Sequence, residues 1–306
     1  MSKITFIFPG QGAQKAGMGK SLYSSSDEAK KIFDQADSIL GRSLSALCFE
    51  VPEEELQKTE NAQLALFVCS IGSLEVLKKN RPGITPDFFG GLSLGEYSAL
   101  CAAGVISFED GLKLVDKRAR LMQAACEGSQ GGMASIVGLD AEKLDSICSS
   151  LPGYMIIANR NCPGQLVISG DRNLLEKACE ESKKAGAKMT VPLKVGGAFH
   201  SRYMEKSAQL FKDELIKVNI RRENLGKVLS NVTGTFHKAD EDWVEVMASQ
   251  IKMPVLWENS MKQTLTFGSS TFYELGSGKT LSGMMKRIDK QALCFNLDTF
   301  DQLKDI

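Results

Sequence analysis

The sequence predicts an α/β protein in which a small β-α-β-β-α-β unit interrupts a larger unit built on a parallel sheet. Two observations carry this: short apolar strands alternate with long helical patterns at both ends of the chain, and the rhythm changes in the middle. A length of 306 residues exceeds one ordinary core, which suits a large domain carrying a smaller one.

Ile4 to Phe8 reads as a first buried strand, too short for a signal-peptide core and ended by Pro9-Gly10. Ser25 with Glu28, and Ser107 with Asp110, place a capping hydroxyl three residues before an acid and mark helix starts. Phe88 to Gly91 is a strand candidate, the run Asp87-Phe88-Phe89-Gly90 reads as a strand, and Glu96 to Leu100 reads as the helix after it. The middle runs strand 133–137, helix 141–149, strand 154–159, strand 165–169, helix 172–185 and strand 188–193, the ferredoxin-like order. Gly128 to Gly132 and Gly196 to Gly197 bracket it. The expected division is therefore 1–127 with 198–306 for the large domain and 128–197 for the small one, with a cleft between them. Strands at Val228 to Val232, Phe272 to Leu275 and Leu293 to Leu297 complete the large sheet.

Composition narrows the function classes. With 37 Lys+Arg against 37 Asp+Glu the formal charge is zero, so nothing suits a polyanion and no nucleic-acid partner is expected. No apolar run is long enough to cross a bilayer, so no membrane role is expected either. The 8 cysteines are scattered with no CxxC pair, which suits reduced thiols and no metal site. The cytoplasm is the expected location, or a plastid stroma after removal of a transit peptide, and a monomer is the default.

Gly91-Leu92-Ser93-Leu94-Gly95 is a G-x-S-x-G pentapeptide set between a strand and a helix. A nucleophile elbow needs that setting, because the glycines permit the tight turn that exposes the hydroxyl. The ordinary alternative is a Gly-rich turn whose serine caps a helix. A serine needs a base, and the chain has two histidines. His200 lies at the loop-to-helix junction after the small domain, whereas His237, in Thr235 to Asp240, reads as polar and exposed. Two glycine patterns fail as nucleotide motifs: Lys15 stands where the dinucleotide fingerprint after Gly10-Gln11-Gly12 needs glycine, and Tyr273 where a P-loop before Gly278-Lys279-Thr280 does. What remains of the first is a turn whose Gln11 N–H can serve an oxyanion. Arg118 falls within an apolar helical stripe of Leu114, Val115, Leu121, Met122 and Ala125. A guanidinium facing the core needs an anionic partner, either a protein carboxylate or a substrate carboxylate.

With Phe8 to Gln14, Gly91 to Tyr97 and Gly197 to Ser201, the chain resembles the malonyl-CoA:acyl carrier protein transacylases over essentially its full length. Further matching blocks include Asn61-Ala62-Gln63, Lys117-Arg118, Asn159 to Pro163, Ser230-Asn231-Val232 and Glu274 to Lys279. The resemblance implies an α/β-hydrolase-like large domain. It implies that Ser93 is acylated, that His200 acts as base and then acid, that Gln11 and Leu94 donate oxyanion-hole N–H groups, and that the main chain at Gln250 orients the histidine. It further implies Arg118 as the ligand of the malonyl carboxylate, with Phe199, Met122, Gln63, Asn159 and Asn161 in the substrate site. The implied substrates are malonyl-CoA and the phosphopantetheine thiol of acyl carrier protein in fatty acid synthesis, with no cofactor. Leu92 departs from the histidine that many members carry before the nucleophile. Leu94 and Phe199 accompany malonyl preference, since Phe199 leaves little room for an α-methyl group, a discrimination worth about 1 to 3 kcal/mol. Two other readings are a thioester hydrolase using the same pair and a non-catalytic carrier-binding module. Lys279, Lys286, Arg287 and Lys290 suit a basic landing site for an acidic carrier protein, or simply a solvated helix face.

Overall fold

Eight strands sort into two sheets in the computed structural model, which describes residues 2–304. In chain order they are β1 (Lys3–Phe8), β2 (Phe88–Gly91), β3 (Gly131–Val137), β4 (Met155–Cys162), β5 (Gln165–Asp171), β6 (Met189–Pro192), β7 (Ser269–Leu275) and β8 (Leu293–Leu297). The large sheet has the order β2-β1-β7-β8 and is parallel throughout. Its strands are apolar on both faces: Phe6 and Phe8 enter the main core on one side, and Ile7 packs with Trp257, Met261 and Phe272 on the other. The helix Thr59–Asn80 is buried almost all round, which explains its unbroken apolar run from Leu64 to Val68.

The small sheet has the order β4-β5-β3-β6 and is antiparallel, the ferredoxin-like arrangement expected for its β-α-β-β-α-β sequence. One face carries the helices Ala141–Ser150 and Leu175–Lys184 over a separate core of residues such as Ile136, Leu144, Ile168 and Ala178. The other face looks towards the large sheet. The α/β class, with one parallel and one small antiparallel sheet, agrees with the sequence reading.

Three local expectations need correction. Val228 to Val232 is not a strand: Val228 makes a single bridge to Phe89, then Gly234, at φ 67°, turns the chain back so that Leu229 bridges Phe236. The turn leaves too few residues for a ladder and points Asn231 at the elbow. The helix Asp27–Leu40 is capped by Ser26 rather than Ser25, its Oγ accepting from Ala29 N at 3.4 Å, because Ser25 closes the preceding helix Lys20–Ser25. His237 is buried rather than exposed. Ser107 does cap the helix Phe108–Cys126, accepting from Asp110 N at 3.0 Å.

Candidate active site

The chain leaves β2 and turns directly into the helix Gly95–Ala102, with Ser93 at the apex. A β-carbon on Gly91 would lie 1.9 Å from the Gly95 carbonyl carbon, and one on Gly95 would lie 2.1 Å from the Phe8 carbonyl oxygen. Both positions are therefore closed to any side chain, which is the physical reason for their spacing about the serine. Gly91→Ala is expected to cost about 3 kcal/mol through overpacking, read as a lowered thermal midpoint together with lost activity.

Among the described non-glycine residues, only Ser93 (φ 51°) and His200 (φ 54°) adopt the left-handed region. Each costs about 1 to 3 kcal/mol, and they face each other. Ser93 Oγ lies 2.8 Å from His200 Nε2. His200 Nδ1 lies 3.0 Å from the Gln250 carbonyl and 3.1 Å from that of Met253. Carbonyls only accept, so Nδ1 carries the proton and Nε2 presents its lone pair to the serine hydroxyl. Burial first, and then the Arg118 charge, lower the His200 pKa from 6.5 to about 4. The ring is thus a neutral base throughout the physiological range.

Asn231 holds the elbow from behind: its Oδ1 accepts from Ser93 N at 2.6 Å and its Nδ2 donates to the Gly91 carbonyl at 2.7 Å. Gln250 Nε2 donates to the Ser93 carbonyl at 2.6 Å. Sequence reasoning assigned no role to Asn231 or Glu96, although both lie in blocks that carry the resemblance, Ser230-Asn231-Val232 and Gly91 to Tyr97. The main-chain N–H groups of Gln11 and Leu94 make no hydrogen bond among the described residues, and the Gln11 side chain donates to Thr59 Oγ1 at 3.3 Å.

Arg118 sits under the serine, 1% exposed. It donates to Gln63 Oε1 at 2.6 Å, Ser93 Oγ at 2.9 Å and Gln250 Oε1 at 3.0 Å, and lies 5.4 Å from the Tyr97 ring centre. No carboxylate of the described residues pairs with it, and its Nε has no partner. Of the two partners the sequence left open, the protein carboxylate is absent from the described residues.

A cavity of about 400 Å³ opens over the pair. Gln11, Ser93, Met122, Phe199 and His200 line it on the large-sheet side; Asn159 and Asn161 line it from β4. Gln63, Arg118 and Gln250 lie behind this lining, and Leu94 reaches the site only through its main chain, its side chain being buried. Of the basic residues that suit a landing site or a solvated helix face, Arg287 is engaged, donating to Gln165 Oε1 at 2.8 Å and the Pro163 carbonyl at 2.9 Å. Lys279, Lys286 and Lys290 are exposed.

A hydroxyl beside a neutral imidazole, with two N–H groups and a buried cation that no described carboxylate pairs, is an arrangement chemically suited to moving an acyl group that ends in an anion. The acyl transferase domain family model matches residues 5–291. The malonyl CoA-acyl carrier protein transacylase of Bacillus subtilis is 45% identical over 95% of this chain and 92% of its own length. The crystal structure of the enzyme of that name from Clostridium perfringens superposes with a TM-score of 0.92 at 39% identity, covering 99% of this chain and 95% of that one. A structure of a type II PKS acyl-carrier protein in complex with its malonyl-transacylase covers 99% of this chain and 98% of that one, with a TM-score of 0.93 at 33% identity. On the elbow, the cavity and these matches together, the chain belongs to the acyl transferase family that contains the malonyl CoA-acyl carrier protein transacylases.

Proposed function

We propose that the chain moves a malonyl group from malonyl-CoA to the phosphopantetheine thiol of acyl carrier protein, supplying extender units for fatty acid synthesis. The observation that carries this is the contact of one hydroxyl, Ser93 Oγ, with both a neutral imidazole and a guanidinium that no described carboxylate pairs. His200 Nε2 takes the Ser93 proton as Oγ attacks the thioester carbonyl. The Gln11 and Leu94 N–H groups receive the oxyanion. The tetrahedral intermediate collapses, the C–S bond breaks, and His200 returns the proton to the departing coenzyme A thiolate. The carrier thiol then gives its proton to His200 and attacks the malonyl-serine ester, and Ser93 regains its proton as it leaves.

Arg118 binds the far carboxylate of the acyl group throughout, using Nε, which has no partner among the described residues, and the Nη2 hydrogen that Ser93 Oγ gives up on acylation as a fork. That grip places the thioester carbonyl over Ser93 and selects diacids. Met122 and Phe199 shape the acyl pocket, Gln63 and Gln250 aim the guanidinium, and Asn159 and Asn161 meet the pantetheine arm. Residues 1–127 with 198–306 form the catalytic domain and residues 128–197 close the cleft. The balance needs only the two substrates, with no metal or other cofactor. The cytoplasm is the proposed location and a monomer the proposed state; no described helix is long and apolar enough to cross a membrane.

The defining experiment supplies malonyl-CoA with and without carrier protein. Malonyl-carrier should form with little free malonate; malonate as the main product would favour hydrolysis instead. The rate should also stay level from about pH 8 down to about pH 5 and fall only as pH approaches 4, where His200 gains its proton. An acid limb near the usual histidine value of about 6.5 would contradict the buried, cation-flanked base.

A further inference from the structure

Glu96, His237 and Glu241 form a buried row behind the elbow that none of the steps above uses. Glu241 Oε1 lies 2.6 Å from His237 Nδ1, and His237 Nε2 lies 2.9 Å from Glu96 Oε1. The side chains of Glu96 and His237 are wholly buried. Between two carboxylates a doubly protonated ring donates on both sides, whereas a neutral imidazole donates from one nitrogen only and would turn a lone pair towards the other carboxylate. Burial works against the charged ring, and the hydrogen bonds that the ring donates to Glu241 and Glu96 outweigh it, raising the pKa to about 9.

The far oxygen of Glu96 reaches the site. Its Oε2 accepts from Gln250 Nε2 at 2.9 Å and from Asn231 N at 3.3 Å. Those two residues hold the Ser93 main chain on both sides, and the Gln250 carbonyl also holds His200 Nδ1. The charge of Glu96 further dictates which way the Gln250 amide faces. With Nε2 drawn to Glu96 and to the Ser93 carbonyl, Oε1 is left to accept from Arg118. The reverse orientation would set Oε1 against two acceptors and an NH₂ group against the guanidinium.

We propose that Glu96 and protonated His237 are positioning residues for acyl transfer, holding Gln250 and Asn231 so that Ser93, His200 and Arg118 share one geometry. The charged groups around the ring are few. Glu96 faces it from the helix Gly95–Ala102, and Glu241 from its own loop. From the segment Arg222–Lys227, Arg222 donates to the Ala239 and Glu241 carbonyls at 2.8 and 3.1 Å. Arg118 lies on the far side of Gln250 from Glu96.

This rests on the Ser93 and His200 reading, and the test separates the two. The rate of malonyl-enzyme formation from malonyl-CoA alone, with no carrier thiol to titrate, is followed by rapid quench and intact mass from pH 5.5 to 10. The wild-type rate should fall as pH rises through about 9, together with the titration of the His237 imidazole seen by NMR. His237→Gln should lack that alkaline limb and run at least about tenfold slower at neutral pH, with KM for malonyl-CoA within about twofold. Glu96→Gln should do the same. A wild-type rate that stays level while His237 titrates overturns the proposal without any variant. So does a folded His237→Gln that keeps the limb or the full rate. An adduct that persists in Ser93→Ala would instead overturn the underlying reading.

Discussion

Ser93→Ala is expected to leave no malonyl-enzyme after incubation with malonyl-CoA and to lower transfer by at least about 10⁴-fold, the scale on which loss of an enzyme nucleophile is felt. The reason is local. Ser93 Oγ, at the apex of the elbow, lies within hydrogen-bond reach of both His200 Nε2 and Arg118 Nη2. The substitution should be mild for the fold: alanine keeps the β-carbon, its N–H still meets Asn231 and its carbonyl still meets Gln250, while Arg118 retains Gln63 and Gln250. A thermal midpoint near that of the parent, alongside lost labelling, is therefore the expected pair of results. Intact mass spectrometry reads both proteins, and a mass increase of one malonyl group on the alanine variant would refute the assignment.

Removing the buried cation should change which substrate is used more than whether the machinery works. Arg118→Ala is expected to lower malonyl transfer by roughly 100- to 1,000-fold, about 3 to 4 kcal/mol for a desolvated charge pair with the substrate. Acetyl transfer, which offers no carboxylate, should hold or rise. A second reading follows from the sign of the electrostatics. The Arg118 charge, after burial, disfavours the imidazolium of His200, so without it the acid limb of residual acetyl transfer should move up from about 4 towards the ordinary histidine range. Equal losses for both acyl groups, with an unmoved limb, would contradict the role. Gln63 and Gln250 would then be left with unmet oxygens, so some loss of stability should accompany the change.

Much of the site was legible because its chemistry is compressed into short segments. The pentapeptide about Ser93 records a steric fact, two positions where a β-carbon would strike the main chain of β1 or of the following turn. Arg118 was legible because a guanidinium inside an apolar helical stripe contradicts its surroundings. His200 stands out from His237 by its place after the small domain, whereas the polar surroundings of His237 predict an exposed ring and the fold buries it. A Lys238-Ala239-Asp240 neighbourhood reads as surface, and only folding brings Glu96, far away in sequence, to meet the ring.

The same distinction explains the misjudged strand. Val228 to Val232 has strand composition, but Gly234 reverses the chain, and a β-propensity without a partner edge does not make a ladder.

Alone, the amino-acid order determined the α/β class, the interruption by a β-α-β-β-α-β unit, the elbow and the odd charge in the apolar stripe, because each rests on spacing or steric exclusion within a few residues. Tertiary structure alone decided that the Met253 carbonyl joins that of Gln250 in steering the histidine, and that Arg118 meets two glutamines and no described carboxylate. It also decided that a second, charged histidine stands behind the first. Hydrogen bonds and desolvation act across space between segments 50 to 141 residues apart, and no local pattern encodes those encounters.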